Sequence, residues 1–171
     1  MNKLYILILS ICMVTFSCET SDNSPVVIGF STGENGERSD ITLETNITEV
    51  WFEYLTAHND RDYDKIAQMN SDDIKVWGPA GQYIQGNEAH IEFLKEWVAA
   101  TDVKWTSQWF INNTGENNET GQVNNYVTSG HQMTLTIDGE ETIFYQVHDA
   151  VISDGKIINF NVYEQQRAVS E

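Results

Sequence analysis

Apolar and polar residues alternate with a period of two from Asp102 to the end of the chain, and this pattern constrains the fold more than any other. It predicts four long β-strands, at about residues 103–111, 119–137, 141–152 and 156–165. Asp138-Gly139 and Asp154-Gly155 predict tight hairpin turns between the last three strands. Because the second strand is so long, we expect a bend or a bulge within it. These features together predict a curled antiparallel sheet.

Three helices are predicted before this sheet. They lie at residues 47–58, 62–70 and 87–101, with a short strand at 73–77 and a turn at 81–86 between the last two. Asn46, followed three residues later by Glu49, is a start signal for the first helix. Asp60 or Asp62 is the expected cap of the second. One stripe of the first helix consists of Ile47, Val50, Trp51, Tyr54, Leu55 and His58.

Helices followed by a curled antiparallel sheet define an α+β fold. We expect a cone-shaped curved antiparallel β-sheet wrapped around three N-terminal helices, which pack on its concave side and close one end. A chain of 171 residues agrees with a single domain. We place that domain at residues 46–167, followed by a short tail at 168–171.

Residues 1–17 have the pattern of a secretory signal peptide. One basic residue, Lys3, precedes an apolar run that is too short to cross a bilayer as a helix. Residues 14–18 resemble a bacterial lipobox, so we expect Cys18 to be acylated. This would anchor the protein in the bacterial cell envelope, at the outer membrane or the cell surface; plain secretion and a retained leader are the alternatives. The other cysteine, Cys12, lies in the leader, and both cysteines precede the domain, so no disulfide is expected in the domain.

Residues 18–45 are rich in Ser, Asn, Asp, Gly and Glu and show no sustained periodicity. We interpret them as a flexible acidic tether between the leader and the domain. A short apolar patch at residues 26–30 interrupts this composition. The alternative interpretation is that the patch forms a strand that docks on the domain.

The charge balance excludes one class of function. The chain has 9 Lys and Arg residues against 26 Asp and Glu residues, which gives a formal net charge of −17. Such a chain repels phosphate backbones, which excludes a nucleic-acid binder with a basic footprint, and it is disfavoured at anionic membrane surfaces. We therefore expect membrane contact through the lipid anchor only. Neither a metal nor another cofactor is expected, because phosphate-loop, nucleophile-elbow and metal-ligand patterns are missing from the sequence.

Strand alternation assigns side chains to the two faces of the sheet. We predict that His131, Met133 and Leu135 of the second strand face the helices. The corresponding inward-facing residues of the third and fourth strands are Gln146, His148, Phe160, Val162 and Glu164. Glu164 is expected at the mouth of the cone.

The third strand is apolar on both faces, which bears on assembly. Its outer face would expose Tyr145, Val147 and Val151 to water. We therefore expect a homodimer that pairs through the convex face of the sheet. The alternative is a monomer whose convex face is covered by the tether or left in contact with water.

A resemblance to a known superfamily is carried by Tyr54, Asp72-Asp73, Gly78-Pro79, Gly86 before a helix with Phe93, and the turn Asp154-Gly155-Lys156-Ile157. In these features, residues 47–167 resemble the nuclear transport factor 2-like superfamily, and within it the SnoaL-like and ketosteroid-isomerase-like branch. The resemblance implies the same cone, a cystatin-like α+β roll. A shared fold does not by itself determine a function.

The resemblance also implies roles for individual residues. The isomerase tyrosine that hydrogen-bonds the developing enolate corresponds to Tyr54, and its acid partner corresponds to His148. The aspartate that moves the proton corresponds to Gly78, which has no side chain, so ketosteroid isomerisation is not expected. For an enzyme of this branch the resemblance implies cofactor-independent acid–base isomerisation, cyclisation or dehydration, with His148, His131 or Glu164 exchanging the proton.

We therefore predict a pocket for a small, largely apolar molecule that carries a carbonyl or hydroxyl group, held by Tyr54 and His148. The predicted ligand-binding residues are Tyr54, Met133, Leu135, Gln146, His148, Phe160 and Val162. Each polar candidate also has a structural interpretation, as a core residue satisfied by its neighbours. His58 and His90 are expected on the surface, because they lie near helix ends. The alternative function is a non-catalytic dimerisation or partner-binding module.

Overall fold

The computed structural model describes residues 26–32, 36, 38–43, 47–116 and 120–167. The predicted leader, Cys18 and the predicted tail lie outside the described residues. In chain order the elements are β1 (Val27–Thr32), β2 (Arg38–Thr42), α1 (Thr48–Asp60), α2 (Tyr63–Met69), β3 (Asn70–Trp77), β4 (Tyr83–Gln85), α3 (Asn87–Thr101), β5 (Lys104–Glu116), β6 (Val123–Ile137), β7 (Glu140–Ser153) and β8 (Lys156–Gln165). Within these ranges, no helix combines the length and apolarity needed to cross a lipid bilayer.

The described strands form one curved, open sheet in the order β1-β2-β5-β6-β7-β8-β3-β4. Neighbouring strands run antiparallel, except that β3 and β8 are parallel. The three helices pack against this sheet, so the predicted α+β cone is confirmed.

The core lies between the helices and the sheet. Trp51 of α1, Ile66 of α2 and Leu94 of α3 are almost completely buried. They belong to one apolar cluster with Val127 of β6 and Ile152 of β7. Burial of each such side chain stabilises the fold by roughly 1.5–3 kcal/mol, so this cluster is what holds the helices on the sheet.

The two predicted hairpin turns are confirmed. Asp138 and Gly139 have φ of 53° and 83°, and Asp154 and Gly155 have φ of 51° and 72°. Positive φ at both central residues is the signature of a type I′ turn, whose twist matches that of the flanking strands. The turns therefore set the β6–β7 and β7–β8 registers locally.

The helix predictions hold closely. α3 begins and ends at the predicted residues, and the Oδ1 atom of Asp62 caps α2 by accepting a hydrogen bond from the backbone N–H of Lys65 at 3.0 Å. The start signal at Asn46 lies outside the described residues.

The bulge, one of the two alternatives for the long second strand, lies instead in the neighbouring strand β5. β6 pairs with β7 without a shift in register, whereas β5 contains an extra residue, Gln108, between Ser107 and Trp109. The reason is local packing: the indole of Trp109 lies over Gly130 of β6, where a Cβ atom would come within 2.2 Å of it. The bulge in β5 turns Trp109 toward this gap.

The prediction of a flexible tether over residues 18–45 is wrong for the part that forms β1 and β2. These two strands make a hairpin, and β2 pairs with the end of β5 through Ile41 opposite Gly115 and Thr42 opposite Thr114. The physical reason is the length of β5. It continues to Glu116, beyond the predicted end at residue 111, and offers unpaired backbone groups to another strand. The alternative interpretation of the apolar patch, as a docked strand, describes what is found.

Candidate functional site

A cavity of about 320 Å³ lies between helices α1 and α3 and the concave face of the sheet. Aromatic rings make up much of its wall, among them Trp51, Trp97 and Trp105. The predicted site residues that line it are Tyr54, Met133, Leu135, Gln146, His148, Phe160, Val162 and Glu164. Strand alternation thus placed most of the predicted residues on the correct face.

Two asparagines fix the direction of the hydrogen bonds near α1 and α3. Asn87 donates from Nδ2 to the backbone carbonyl of Ala67 (2.9 Å), so its Oδ1 atom faces Asn70 and accepts from Asn70 Nδ2 (2.9 Å). The Oδ1 atom of Asn70 is then left to accept the hydroxyl hydrogen of Tyr54, at 2.6 Å. Burial raises the pKa of the Tyr54 phenol well above its usual value, so the phenol stays neutral.

His90 is the next member of this network. Asn70 Nδ2 donates to His90 Nδ1 at 3.2 Å, so Nδ1 is an acceptor and the ring proton sits on Nε2. Burial, together with the nearby His58, lowers the pKa of His90 to about 3. The ring is therefore neutral at pH 7, with Nε2–H as its free donor.

His58 has the opposite tautomer. Its Nδ1–H donates to the backbone carbonyl of Tyr54 at 2.7 Å, which leaves a lone pair on Nε2. Burial lowers the pKa of His58 to about 4, with a smaller lowering by the charge of Arg61 and a partial offset from the hydrogen bond to Tyr54. Both histidines line the cavity, and their ring centroids are 5.9 Å apart.

The prediction that His58 and His90 lie on the surface is wrong. His58 is 7% exposed and His90 is 1% exposed. The reason is that both rings lie on the inner stripes of their helices, and the sheet covers those stripes up to the helix ends. For His90 a signal was present in the spacing, since Leu94 and Trp97 follow at i+4 and i+7 on the same helix face.

Gln146 organises the β-sheet side of the cavity. Its Oε1 atom accepts from the indole Nε1–H of Trp105 (2.9 Å), which fixes the orientation of the amide. The same Oε1 atom lies 2.9 Å from His148 Nε2, so His148 donates from Nε2 and carries its lone pair on Nδ1. The Nε2 atom of Gln146 donates to Glu164 Oε2 at 2.7 Å, and Glu164 is exposed at the mouth.

The Nδ1 atom of His148 is buried and has no hydrogen-bond partner among the described residues. Burial lowers the pKa of His148 well below its usual value, and the neighbouring His131 and His58 lower it further. His148 therefore presents a neutral ring with one unused acceptor. The ring centroid of His131 lies 4.6 Å away.

His131 does not line the cavity, in contrast to its predicted role in proton exchange. The Nε1–H of Trp51 donates to Ser129 Oγ (2.9 Å), and Ser129 Oγ lies 2.7 Å from His131 Nε2. In this arrangement the Ser129 hydroxyl donates to His131 Nε2, and the Nδ1 atom of His131 is buried without a hydrogen-bond partner among the described residues. Burial lowers the pKa of His131 to about 4.

Tyr54 and His148 line the same cavity, but their polar atoms belong to different networks. The hydroxyl of Tyr54 donates to Asn70, whereas His148 donates to Gln146. The ring of Trp51 contacts both, with centroids 5.1 Å from Tyr54 and 6.0 Å from His148. Tyr54 can donate to a ligand only by giving up Asn70, so its predicted role as the primary donor loses support.

Gly78 also lines the cavity, beside Gln82. A Cβ atom on Gly78 would lie 2.6 Å from Oε1 of Gln82, so the amide of Gln82 takes the space that a side chain at Gly78 would need. Among the residues that the structure describes, no group of three or more His, Cys, Asp or Glu side chains is arranged to bind a metal ion.

The sequence pattern missed Asn70 and Asn87, which direct the polar network from β3 and from the first turn of α3. Asn70 is 2% exposed, although it follows a helix directly and is polar. Single polar residues at element boundaries carry no periodic signal, so only their contacts with Tyr54 and His90 identify them.

Comparison with known proteins finds no matching family model and no matching curated relative. Solved structures do match. An NTF2-like protein of unknown function from Burkholderia pseudomallei is 17% identical, with a TM-score of 0.56 over 72% of this chain and 93% of that chain. An LEH-like epoxide hydrolase from M. tuberculosis is 16% identical, with a TM-score of 0.56 over 68% of this chain and 80% of that chain.

A candidate ketosteroid isomerase from Kribbella flavida is 14% identical, with a TM-score of 0.54 over 72% of this chain and 80% of that chain. Likeness at such low identity shows shared architecture and not shared chemistry. The three helices and the curved, open sheet agree with that architecture. The chain therefore has the nuclear transport factor 2-like fold, as the resemblance in its sequence implied.

Proposed function

We propose that this domain binds a small, uncharged, largely apolar molecule with a carbonyl or hydroxyl group inside the cone. The observation that carries the proposal is the cavity itself, about 320 Å³ in volume and walled mainly by aromatic and aliphatic side chains. Small-molecule sites typically have volumes of roughly 300–1,000 Å³ with a few convergent polar groups. Here those groups are the histidines His58, His90 and His148.

The charges around the cavity favour an uncharged ligand. Glu164 is the one formally charged side chain among the lining residues that the structure describes, and it lies at the mouth. The lining histidines have lowered pKa values and are neutral at pH 7. A carboxylate or phosphate ligand would meet Glu164 and a chain of net charge −17.

Binding can be tested with a matched pair of probes. 1-Indanone and indane share one bicyclic skeleton, and only the first has a carbonyl group. We expect calorimetry to show that both compounds bind. 1-Indanone should bind more tightly, because indane would leave a hydrogen-bond donor of the cavity unpaired, which costs about 1–3 kcal/mol. Failure of both to bind would contradict the proposal.

A mouth-blocking variant tests whether the probes enter the cavity. Ala80 lines the mouth and is exposed, so Ala80→Trp should abolish binding without disturbing the core. Ala99 is also exposed but lies on α3 outside the cavity lining, so Ala99→Trp is the matched control and should bind normally. Equal binding by the two variants would place the probes elsewhere on the protein.

We further propose cofactor-independent acid–base chemistry on the bound molecule, of the isomerisation, cyclisation or dehydration type. The supporting observation is that His148 lines the cavity with a neutral ring whose buried Nδ1 atom has no hydrogen-bond partner among the described residues. Structural neighbours that include a candidate ketosteroid isomerase and an epoxide hydrolase agree with such use of the fold. A panel of ketones and enones should show turnover that His148→Ala removes; unchanged turnover would eliminate His148 as the proton carrier.

The alternative is a non-catalytic module in which side chains fill the cone and their polar groups only satisfy one another. Two observations favour ligand binding over this alternative. The cavity remains open beside Trp105 and Met133, and Trp109 lies outside it, over Gly130 of the sheet.

We also propose that acylation of Cys18 anchors the protein in the bacterial cell envelope. The support is the leader and its lipobox-like residues 14–18. Cys18→Ser should release the protein from isolated membranes into the soluble fraction. Retention of the variant in the membrane fraction would refute lipidation.

A homodimer through the convex face is the last part of the proposal. Trp109 and Tyr163 on this face are 42% and 56% exposed, and Tyr145 and Val147 are half-buried beside them. A patch of this kind is typical of an interface. Sedimentation should show a dimer that Tyr163→Lys dissociates; a monomer at high concentration would contradict it.

A further inference from the structure

The strongest unassigned feature of the molecule is the pair of opposite histidine tautomers at the α1–α3 side of the cavity. His58 is fixed by its Nδ1–H, which donates to the carbonyl of Tyr54 at 2.7 Å, so its Nε2 atom is an acceptor. His90 is fixed by Asn70, which donates to its Nδ1 atom at 3.2 Å, so its Nε2 atom carries the proton. One ring can accept a hydrogen bond, and its neighbour can donate one.

The backbone determines the orientation of the Asn70 amide, and therefore the direction of its hydrogen bond to His90. This direction follows through Asn70 and Asn87 from the backbone carbonyl of Ala67, which can only accept. The hydrogen bond from His58 Nδ1–H also ends on a backbone carbonyl, that of Tyr54. Both tautomers are therefore set by main-chain groups, which cannot exchange donor and acceptor roles.

Both Nε2 atoms remain available. The hydrogen bonds that the described residues make with these rings all use Nδ1. Neither Nε2 atom belongs to the buried polar atoms without a partner, which among the described residues are those of Ser71, Asn112, His131 and His148. Because both rings line the cavity, the two Nε2 atoms retain access to its interior.

We infer that His58 and His90 together recognise a ligand that presents a hydrogen-bond donor next to an acceptor, as a cis-lactam does. The lactam N–H would donate to His58 Nε2, and the lactam carbonyl would accept from His90 Nε2–H. The ring centroids are 5.9 Å apart, a separation that the N–H and the carbonyl of one lactam would bridge with two hydrogen bonds. Trp105 and Phe160, which contact the two rings, would cover the apolar part of the ligand.

This inference rests on the proposed function and narrows it. A ketone alone would use only His90 and leave the acceptor on His58 unpaired. A lactone would also leave the acceptor on His58 unpaired, although it has the same shape as the lactam. An unpaired buried polar group is costly, so the site should discriminate between isosteric ligands that differ only in the donor.

The test compares 2-quinolone, coumarin and N-methyl-2-quinolone by calorimetry. The first two are isosteric, but only 2-quinolone has an N–H beside its carbonyl. We expect 2-quinolone to bind at least about fivefold more tightly than coumarin, the factor that corresponds to about 1 kcal/mol. The N-methyl compound, which has lost the donor, should bind no better than coumarin.

A variant tests whether His58 causes the preference for 2-quinolone over coumarin. His58→Phe keeps an aromatic ring beside Tyr54 and Trp105 but removes the acceptor. In this variant 2-quinolone and coumarin should bind equally. A preference that survives His58→Phe would overturn the inference.

An experiment on the unmodified chain covers the case in which the variant does not fold. Nitrogen-15 NMR of the imidazoles reports directly which nitrogen is protonated. We expect a proton on Nδ1 of His58 and on Nε2 of His90, and addition of 2-quinolone should shift both Nε2 signals. The reverse tautomers, or equal binding of 2-quinolone and coumarin, would overturn the inference while the proposed function stands. Failure of the indanone and quinolone probes alike would contradict the proposed function itself.

Discussion

Lowering the pH from about 7.5 to about 5 should destabilise this domain, because each of its four histidines is buried. Burial lowers the pKa of His58 and His131 to about 4 and that of His90 to about 3, and it lowers the pKa of His148 as well. An unfolded chain restores the ordinary value of about 6.5. Between these values the unfolded state binds more protons than the folded state, so stability falls as the pH falls.

The size of the effect follows from the same numbers. At about pH 5 a histidine with an unfolded pKa of about 6.5 and a folded pKa of about 4 or below contributes roughly 2 kcal/mol less stability than at about pH 7.5. For His58, His90 and His131 together the loss is about 6 kcal/mol, and His148 acts in the same direction. That is comparable with the whole stability of a typical domain, about 5–15 kcal/mol.

Urea unfolding followed by tryptophan fluorescence measures this loss directly. The free energy of unfolding should fall steeply between about pH 6.5 and about pH 5. The variant His131→Phe is an internal control, because it removes one titrating imidazole that does not line the cavity. The difference in stability between the two pH values should shrink by about 2 kcal/mol in this variant. A free energy of unfolding that stays constant or rises on acidification would refute the reasoning.

Three further predictions concern hydrogen bonds and packing contacts that stabilise the fold. Asn59→Ala removes two hydrogen bonds to the backbone of Trp105, of 2.8 and 2.9 Å, and should cost about 2 kcal/mol in urea unfolding. Asp62→Ala removes the α2 cap and should cost about 1 kcal/mol, whereas Asp62→Asn should cost less. Gly130→Ala should displace the Trp109 indole and cost about 1–3 kcal/mol, with a red-shifted emission; unchanged emission would contradict the contact.

Much of the architecture was predictable because its determinants are local. The period-two pattern and the two Asp-Gly turns specify β7, β8 and their hairpins within a few residues of chain. Strand alternation likewise predicted which side chains of β6, β7 and β8 face the helices, because side chains on a strand alternate strictly between two faces. Most predicted site residues therefore do line the cavity.

Other features depended on contacts between segments that are far apart in the chain. The β1–β2 hairpin has little periodicity of its own, and it forms on an edge that exists only because β5 continues to Glu116. The position of the bulge depends on how Trp109 fits over Gly130 of the next strand. Neither relation is visible in a window of neighbouring residues.

By itself, the sequence determined the cone and the apolar lining of its interior, since hydrophobic periodicity and turn chemistry act over short distances. Only the tertiary structure decided which polar atoms are free to meet a ligand. Tyr54, Asn70 and His90 come from three different elements, and hydrogen-bond direction is transmitted among them only once those elements are packed. The same packing removes water from four imidazoles, and it is this desolvation that makes them neutral and gives each one donor and one acceptor.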